Sequence, residues 1–202
     1  MVSLDTVAPF YRALETLVFG NALQRARIAF IPALNRCRRA LVLGQGNGRF
    51  VVALLAANPQ IRVTCIDQSP KMIQLARRRV CDVNRVEFVQ SAIEDARLER
   101  TYDAVVTNFV LDFFTEDELA SIVQKLAQHA NRDATWLIAE FTNARRGELL
   151  LALMYAFFRF VAQISASRLP NYAPLLQRHG FRREERQLFY AGIVCAELWK
   201  RS

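Results

Sequence analysis

The stretch "RALVLGQGNGRFVVALLAANP", residues 39–59, decides the fold. Its first apolar residues end in glycines at every second position, and a helical pattern of apolar residues then runs to Asn58 and Pro59. A strand that ends in glycines and turns into a helix brings backbone N–H groups and the positive end of the helix close to a ligand. The stretch therefore predicts a strand, a ligand-binding turn and a helix that stops before Pro59.

The spacing of the glycines discriminates between ligand classes. The dinucleotide fingerprint places its third glycine three positions after the second, and Arg49 stands at that position here. The pattern is instead Gly-x-Gly-x-Gly, which makes an NAD site the weaker interpretation. A Gly-x-Gly at the end of a strand can also be a tight turn without any ligand.

Asp67 ends the next predicted strand, nineteen residues after Gly48. A carboxylate at this place can accept both hydroxyls of a ribose, because the second strand ends at the same crevice as the glycine turn. The alternative interpretation is an Asp that only accompanies the Ser69 cap of the following helix.

Strands and helices alternate through the rest of the chain. Further strands are predicted at "IRVTCID", "RVEFVQ", "YDAVVTNFV" and "ATWLIAEF". Ser69 with Pro70 is typical of one helix start, and Thr115 with Glu118 forms the capping box of another. The tail "FRREERQLFYAGIVCAELWKR" predicts two strands around a tight turn. Because parallel strands need crossover helices, we predict an α/β, Rossmann-like, doubly wound sheet of seven strands whose last strand is antiparallel.

The composition fits a single globular domain. The chain has 202 residues, 52% hydrophobic and 23% charged, with a formal net charge of +8. This charge suits an anionic partner such as nucleic acid or an acidic membrane surface, but a basic solvated surface explains it equally well. The four cysteines lack Cys-x-x-Cys spacing and nearby histidines, which argues against a metal site and favours reduced thiols. The N-terminal residues show no secretory signal, so we expect a cytoplasmic protein.

These motifs resemble a class I S-adenosylmethionine (SAM)-dependent methyltransferase, and in particular the small-molecule, ubiquinone-biosynthesis-like branch of that family. The resemblance rests on "LVLGQGNGRF", "VTCIDQSPKMIQLARRR", "RVEFVQSAIEDA", "YDAVVTNFVLDFF" and "WLIAEF", together with the C-terminal hairpin. It extends over residues 38–200. It implies SAM as the cofactor and leaves the acceptor open.

The resemblance also implies which residues contact SAM. The cofactor-binding positions are Gly44, Gln45, Gly46, Gly48, Asp67, Gln68, Met72, Ile93 and Asn108. By this resemblance the glycines wrap the methionine part and the sulfonium, and Asp67 holds the ribose. Gln68, Met72 and Ile93 flank the adenine, and Asn108 lies beside the cofactor at the end of the fourth strand. Met72 is alternatively a core residue. Two positions depart from the family pattern: Val42 replaces an acid near the cofactor's amino group, and Ala92 replaces an Asp near the adenine, with Asp95 three residues later.

The acceptor site is expected in the segments outside the shared core. We expect one methyltransferase domain with an N-terminal helical cap (1–37), a SAM-binding core (38–141), a helical insertion (142–172) and a C-terminal helix and hairpin (173–202). The insertion contains a helix that is apolar on nearly every side, which predicts a lid over an apolar pocket or, alternatively, a helix packed on the N-terminal cap. No catalytic base is identified, and Asp112 and Tyr11 are the candidates.

The sequence therefore predicts an enzyme that transfers a methyl group from SAM to a small, hydrophobic acceptor, without a metal. An RNA methyltransferase is the alternative that the net charge favours, but "TNFVL" lacks the Asn-Pro-Pro-aromatic run typical of methylation on base amino groups. A non-catalytic SAM-binding regulatory protein is a second alternative, motivated by Val42 and Ala92. Basic residues around the insertion also suit peripheral contact with lipid head groups.

Overall fold

The computed structural model describes residues 21–142 and 171–202. The first predicted helix, Tyr11 and nearly all of the predicted insertion lie outside these residues. The described strands are β1 (Arg39–Leu43), β2 (Arg62–Asp67), β3 (Val86–Gln90), β4 (Tyr102–Asn108), β5 (Ala130–Phe141), β6 (Phe181–Phe189) and β7 (Val194–Arg201). The described α-helices are α1 (Ala22–Ile28), α2 (Arg49–Ala57), α3 (Pro70–Arg79), α4 (Glu116–Gln128) and α5 (Ala173–Arg178).

The strands form one seven-stranded sheet in the order β3-β2-β1-β4-β5-β7-β6. β1 pairs in parallel with β2 on one side and with β4 on the other, so that Val42 lies between Cys65 and Val106. β7 is inserted between β5 and β6 and runs antiparallel to both. The predicted seven-stranded, doubly wound sheet with an antiparallel last strand is confirmed. The chain reverses its direction of winding between β1 and β4, which makes their carboxyl ends the natural ligand crevice.

Alternate residues of the central strands face two different hydrophobic cores. Leu41 and Trp136 belong to the core that α4 and α5 cover, whereas Val42 and Leu137 belong to the core that α2 covers. The helix α1 packs over the far half of the second face, where its Leu23 meets residues of β5 and β7. Helices thus cover both faces of the sheet, as the continuous apolar strands require.

The helix starts follow the local chemistry of the sequence. The Ser69 hydroxyl accepts a hydrogen bond from the N–H of Met72 at the start of α3, and Pro70 occupies the first helical position. Thr115 and Glu118 form a reciprocal capping box at the start of α4. Both predicted caps are confirmed.

The spacing of the apolar residues Leu23, Phe30, Ile31 and Leu34 predicts a second helix of the N-terminal cap after Gly20, and this prediction is wrong in its extent. The expected helix through Leu34 ends at Ile28, and a separate 3-10 turn follows from Ile31 to Leu34. Pro32 lies at the start of that turn. A proline within a continuous α-helix would remove a hydrogen bond and clash with the preceding turn, which accounts for the break.

Gly48 lies where the start of α2 approaches α3 most closely. A Cβ atom at this position would lie 2.9 Å from both the Cα and the Cβ of Ala76, and its φ of +80° disfavours any L side chain. We expect Gly48→Ala to lower the free energy of unfolding by about 3 kcal/mol, combining left-handed strain with steric overlap. Urea denaturation measures this loss.

Gly192→Ala is the matched control, because Gly192 has a φ of +88° and no heavy atom within 4 Å of the added Cβ. It carries only the left-handed strain, about 1–2 kcal/mol. Equal losses in the two variants would contradict the close contact between α2 and α3.

Candidate functional site

The carboxyl ends of the central strands bring several of the predicted site residues to one edge of the sheet. β1 ends at Leu43 just before the glycine turn, β2 ends at Asp67, and β4 ends at Asn108. The Gly44 N–H donates to the carbonyl oxygen of Ile66 over 2.9 Å, which ties the glycine turn to the end of β2. The glycine turn, Asp67 and Asn108 therefore border the same crevice.

Gly46 is the open point of the glycine turn. Its φ is +53°, and no heavy atom lies within 4 Å of the position where a Cβ would be. The neighbouring Gly44 is crowded instead, since its Cβ would lie 3.0 Å from Cγ2 of Val110. A ligand can consequently approach the backbone at Gly46, ahead of the amino end of α2.

The Asp67 carboxylate connects three elements. Its Oδ2 accepts a hydrogen bond from the Gly46 N–H over 3.3 Å, and its Oδ1 accepts one from the Ser69 N–H over 2.9 Å. The contact with Ser69 is the helix-start role that the sequence offered as the alternative. The contact with Gly46 adds a direct link to the glycine turn.

Two amide side chains at this edge are buried with atoms that lack hydrogen-bond partners. Gln45 is 6% exposed and Asn108 is 8% exposed. Both amide atoms of Gln45 and the Nδ2 of Asn108 are unpartnered in the structure. An unpartnered buried polar atom costs about 1–3 kcal/mol. These atoms fit a polar ligand that supplies the missing partners.

The three remaining predicted cofactor residues lie around the ends of β2 and β3. Gln68 is exposed, Met72 is half-buried in the first turn of α3, and Ile93 is buried in the core beside Ile66. The Ser91 N–H donates to the carbonyl of Asp67 over 3.1 Å, which holds the loop after β3 beside this edge.

The two positions that depart from the family pattern have different surroundings. Val42 is 2% exposed and packs in the core that α2 covers. Ala92 accepts a hydrogen bond from the N–H of Ala96 over 3.0 Å in the turn after β3, and Asp95 is exposed in the same turn.

A buried pair of carboxyl groups lies next to the end of β4. Asp112 belongs to the 3-10 turn Leu111–Phe113 and is 8% exposed, and burial raises its pKa to about 6. Glu140 is fully buried, and its Oε1 accepts hydrogen bonds from the N–H groups of Val110 and Leu111 over 3.0 and 2.9 Å. Burial and the charge of Asp112 raise the pKa of Glu140 well above its ordinary value.

One oxygen of each carboxyl group, Oδ1 of Asp112 and Oε2 of Glu140, has no hydrogen-bond partner. The sequence pointed to Asp112 and missed Glu140. The available signal was a single acid within the otherwise apolar strand "TWLIAEF".

Aromatic side chains border the same edge beyond β4 and β5. The rings of Phe109 and Phe141 lie 5.1 Å apart, and the guanidinium of Arg27 lies 4.8 Å from the centre of the Phe109 ring. Phe109 has a φ of +54°, a strained value for a bulky residue, directly after β4. Strained backbone of this kind is concentrated at functional sites.

Comparisons with known proteins agree with this geometry. Residues 40–133 match the family described as "Methyltransferase domain". This match covers just under half of the chain and agrees with the resemblance to SAM-dependent methyltransferases. The chain is 36% identical over 109 residues to a malonyl-[acyl-carrier protein] O-methyltransferase from Acetivibrio thermocellus, which is 54% of this chain and 38% of that protein. It is 28% identical over 155 residues to a carboxy-S-adenosyl-L-methionine synthase from Klebsiella pneumoniae, covering 71% of this chain and 61% of that protein.

Solved structures of methyltransferases share the fold of this chain. The structure of the mitomycin 7-O-methyltransferase superposes with a TM-score of 0.73 at 20% identity, over 98% of this chain and 58% of that chain. A 1,6-didemethyltoxoflavin-N1-methyltransferase from Burkholderia thailandensis superposes with a TM-score of 0.71 at 19% identity, over 98% and 86% of the two chains. The chain thus spans less than two thirds of the length of the two curated relatives above.

Two features of the described residues bear on other classes of function. Within residues 21–142 and 171–202, no helix has the length and apolar character needed to cross a membrane. In the same ranges, no three His, Cys, Asp or Glu side chains cluster so that they could hold a metal ion.

The raised carboxyl pKa values predict a specific dependence of stability on pH. Below about pH 4, both carboxyls are neutral in the folded and unfolded chains, and as the pH rises the unfolded chain ionises first. The contribution of this pair to stability is therefore lost as the pH rises through about 6, the pKa of Asp112, and beyond. As the pH rises from about 4 to about 8, we expect the free energy of unfolding to fall less in Asp112→Asn and in Glu140→Gln than in the wild type.

Urea denaturation at several pH values checks this expectation. Asp133→Asn is the control, because Asp133 is an exposed acid in the first half of β5. If the pair variants follow the same pH curve as Asp133→Asn, the buried carboxyls do not carry the effect.

Proposed function

We propose that this chain binds SAM at the glycine turn and transfers its methyl group to a small, apolar acceptor. The observation that carries the proposal is the Asp67 carboxylate, which accepts the Gly46 N–H at the switch point of a methyltransferase fold. SAM supplies an electrophilic methyl group on a positively charged sulfur. The residues of this chain bind the donor, orient the acceptor and take up a proton where the acceptor carries one.

The polar residues at the crevice fit the different parts of SAM. Asp67 accepts the ribose hydroxyls, and the backbone at Gly46 leaves room for the methionine part to approach. The unpartnered amide atoms of Gln45 and Asn108 supply hydrogen-bond donors and an acceptor for the carboxylate and ammonium groups of the methionine part. Since Val42 offers no carboxylate to the ammonium group, the Oε1 of Gln45 takes over this contact.

The adenine end of SAM lies near the start of α3 in this proposal. Met72 covers the ring from the first turn of α3, while Gln68 and Ile93 border it from the ends of β2 and the loop after β3. Ala92 has no side chain that could accept from the adenine amine, so the exposed Asp95 in the same turn is the available carboxylate.

The acceptor lies over the aromatic residues that follow β4 and β5. Phe109 and Phe141 are in contact, and Phe113 is 37% exposed next to Asp112. Such a surface favours an apolar or aromatic acceptor. The predicted lid, which is nearly all of the insertion 142–172, lies outside the described residues. Methyl transfer to RNA is the alternative reaction, motivated by the net charge of +8.

Asp112 is the proton acceptor in this proposal. Its pKa of about 6 makes it a carboxylate at neutral pH that is still basic enough to share a proton. Where the acceptor's oxygen or nitrogen carries a proton, Oδ1 of Asp112 would take it up as that atom bonds to the methyl carbon, and the broken carbon–sulfur bond would leave its electron pair on S-adenosylhomocysteine. Glu140 positions this group, because its Oε1 holds the N–H groups of the turn in which Asp112 lies.

The cofactor assignment is tested by Asp67→Asn. The amide keeps the shape of the side chain and an oxygen for the Ser69 N–H, but loses the charge that strengthens hydrogen bonds from ribose hydroxyls. We expect the affinity for SAM, measured by calorimetry, to fall about tenfold or more. Asp133→Asn changes the same charge at an exposed position and should leave the affinity unchanged. Unchanged affinity in Asp67→Asn would remove the ribose assignment.

The acceptor chemistry is tested with Asp112→Asn and a panel of phenols, carboxylic acids, amines and short RNAs. Formation of S-adenosylhomocysteine measures turnover. For the preferred small acceptor, we expect kcat to rise through about pH 6 in the wild type, and the variant to lose this rise together with about 100-fold in kcat while SAM affinity is kept.

Other results of the same assay contradict parts of the proposal. Preferred turnover of RNA would replace the small acceptor. SAM binding without turnover of any acceptor would favour a non-catalytic regulatory protein. An unchanged pH profile in Asp112→Asn would remove Asp112 as the base.

A further inference from the structure

We propose a second ligand site, for a small phosphate-bearing molecule, at the amino ends of the strands. An open cleft with an empty volume of about 470 Å³ lies at this edge, and four arginines line it. They are Arg39, Arg62, Arg85 and Arg100. This edge is opposite the methyl-transfer crevice, and the proposal does not depend on the proposed function.

The strand order of the sheet brings these arginines together. Arg39 and Arg62 are the first residues of β1 and β2 and lie directly beside each other in the strand register. Arg85 immediately precedes β3 on the other side of β2, and Arg100 precedes β4 on the other side of β1. Since neighbouring strands are about 4.8 Å apart, side chains from four adjacent strand starts reach one cleft.

Most of this positive charge is not neutralised by the protein. Arg85 is paired with Asp82 at 2.6 Å and also donates to the carbonyl of Asn58. For the guanidinium groups of Arg39, Arg62 and Arg100, the described part of the chain offers no ion pair or hydrogen bond. Like charges held this close repel one another, so a bound anion lowers the energy of the cleft.

The nearby acids do not remove this excess. Glu87 is the acid among the lining residues, and it accepts a long hydrogen bond of 3.4 Å from the Thr64 hydroxyl. Both carboxylate oxygens of the nearby Asp103 already accept hydrogen bonds. Its Oδ2 accepts from the backbone N–H groups of Arg38 and Arg39, and its Oδ1 accepts from the Asn131 amide. Among the described lining residues, the guanidinium groups of Arg39, Arg62 and Arg100 thus outnumber the one carboxylate, that of Glu87.

The lining chemistry selects phosphate among anions. Guanidinium groups match the oxygens of a phosphate in pairs of parallel hydrogen bonds. Asn84 and Tyr102 add an amide and a phenol group to the same lining. The arginines of the lining converge on one cleft, which favours a mono- or diphosphate group as the ligand.

Calorimetric titration with inorganic phosphate and pyrophosphate at low salt tests the site. We expect saturable binding, tighter for pyrophosphate, that weakens about tenfold in Arg62→Gln and is lost in the double variant Arg39→Gln/Arg62→Gln. Arg182→Gln is the matched control, since Arg182 is an exposed arginine on β6 at the other side of the sheet. SAM affinity should not change in any of these variants, because β2 separates the two sites by roughly 15–20 Å.

Several outcomes would overturn the proposal. One is the absence of saturable binding for both phosphate and pyrophosphate. Another is a loss of binding in Arg182→Gln as large as that in Arg62→Gln. A short single-stranded RNA that binds through Arg39 and Arg62 when pyrophosphate does not would replace the small ligand by nucleic acid. Circular dichroism and urea denaturation of each variant separate a loss of the fold from a loss of the site.

Discussion

The hydrogen bonds of the Asp67 carboxylate hold the candidate site together. One side chain at the end of β2 accepts the N–H of Gly46 from the turn after β1 and the N–H of Ser69 at the start of α3. The three glycines of the turn have no side chains that could fix its backbone, and the Asp67 carboxylate supplies a side-chain hydrogen bond to the middle one, Gly46. The open Gly46 and the placement of α3 therefore both depend on an acid that belongs to a different strand.

On the other side of the crevice, the Glu140 carboxylate likewise holds a turn through backbone hydrogen bonds. It lies at the end of β5, yet it holds two backbone N–H groups of the turn that follows β4. This turn contains Asp112 and follows directly on the strained Phe109. A buried acid with one unpartnered oxygen destabilises the fold relative to an apolar residue. Such a cost is consistent with a site whose geometry is kept for binding or chemistry.

Local features of the sequence predicted those parts of the structure that short-range contacts decide. The caps at Ser69 and Thr115 involve atoms within three residues, and the strand pattern follows the two buried faces of the sheet. The pairing of Asp112 with Glu140 depends instead on the register between β4 and β5, which no local pattern encodes. The convergence of Arg39 and Arg62 likewise depends on β1 and β2 being neighbours in the sheet. Tyr11 lies outside the described residues, so its predicted role stays a prediction.

The net charge shows why composition alone was a poor guide to the partner. Part of the positive charge is neutralised by ion pairs within the protein. The Glu197 carboxylate, which is 2% exposed, pairs with Arg183 at 3.0 Å and with Arg186 at 3.2 Å. The remaining charge is distributed along the strands. Acids border the carboxyl edge, at Asp67 and Asp112, whereas arginines gather at the amino edge. A cationic methyl donor is attracted to the acidic edge and a phosphate group to the basic one. A formal charge of +8 is therefore compatible with separate acidic and basic sites, and nucleic-acid binding is not its necessary consequence.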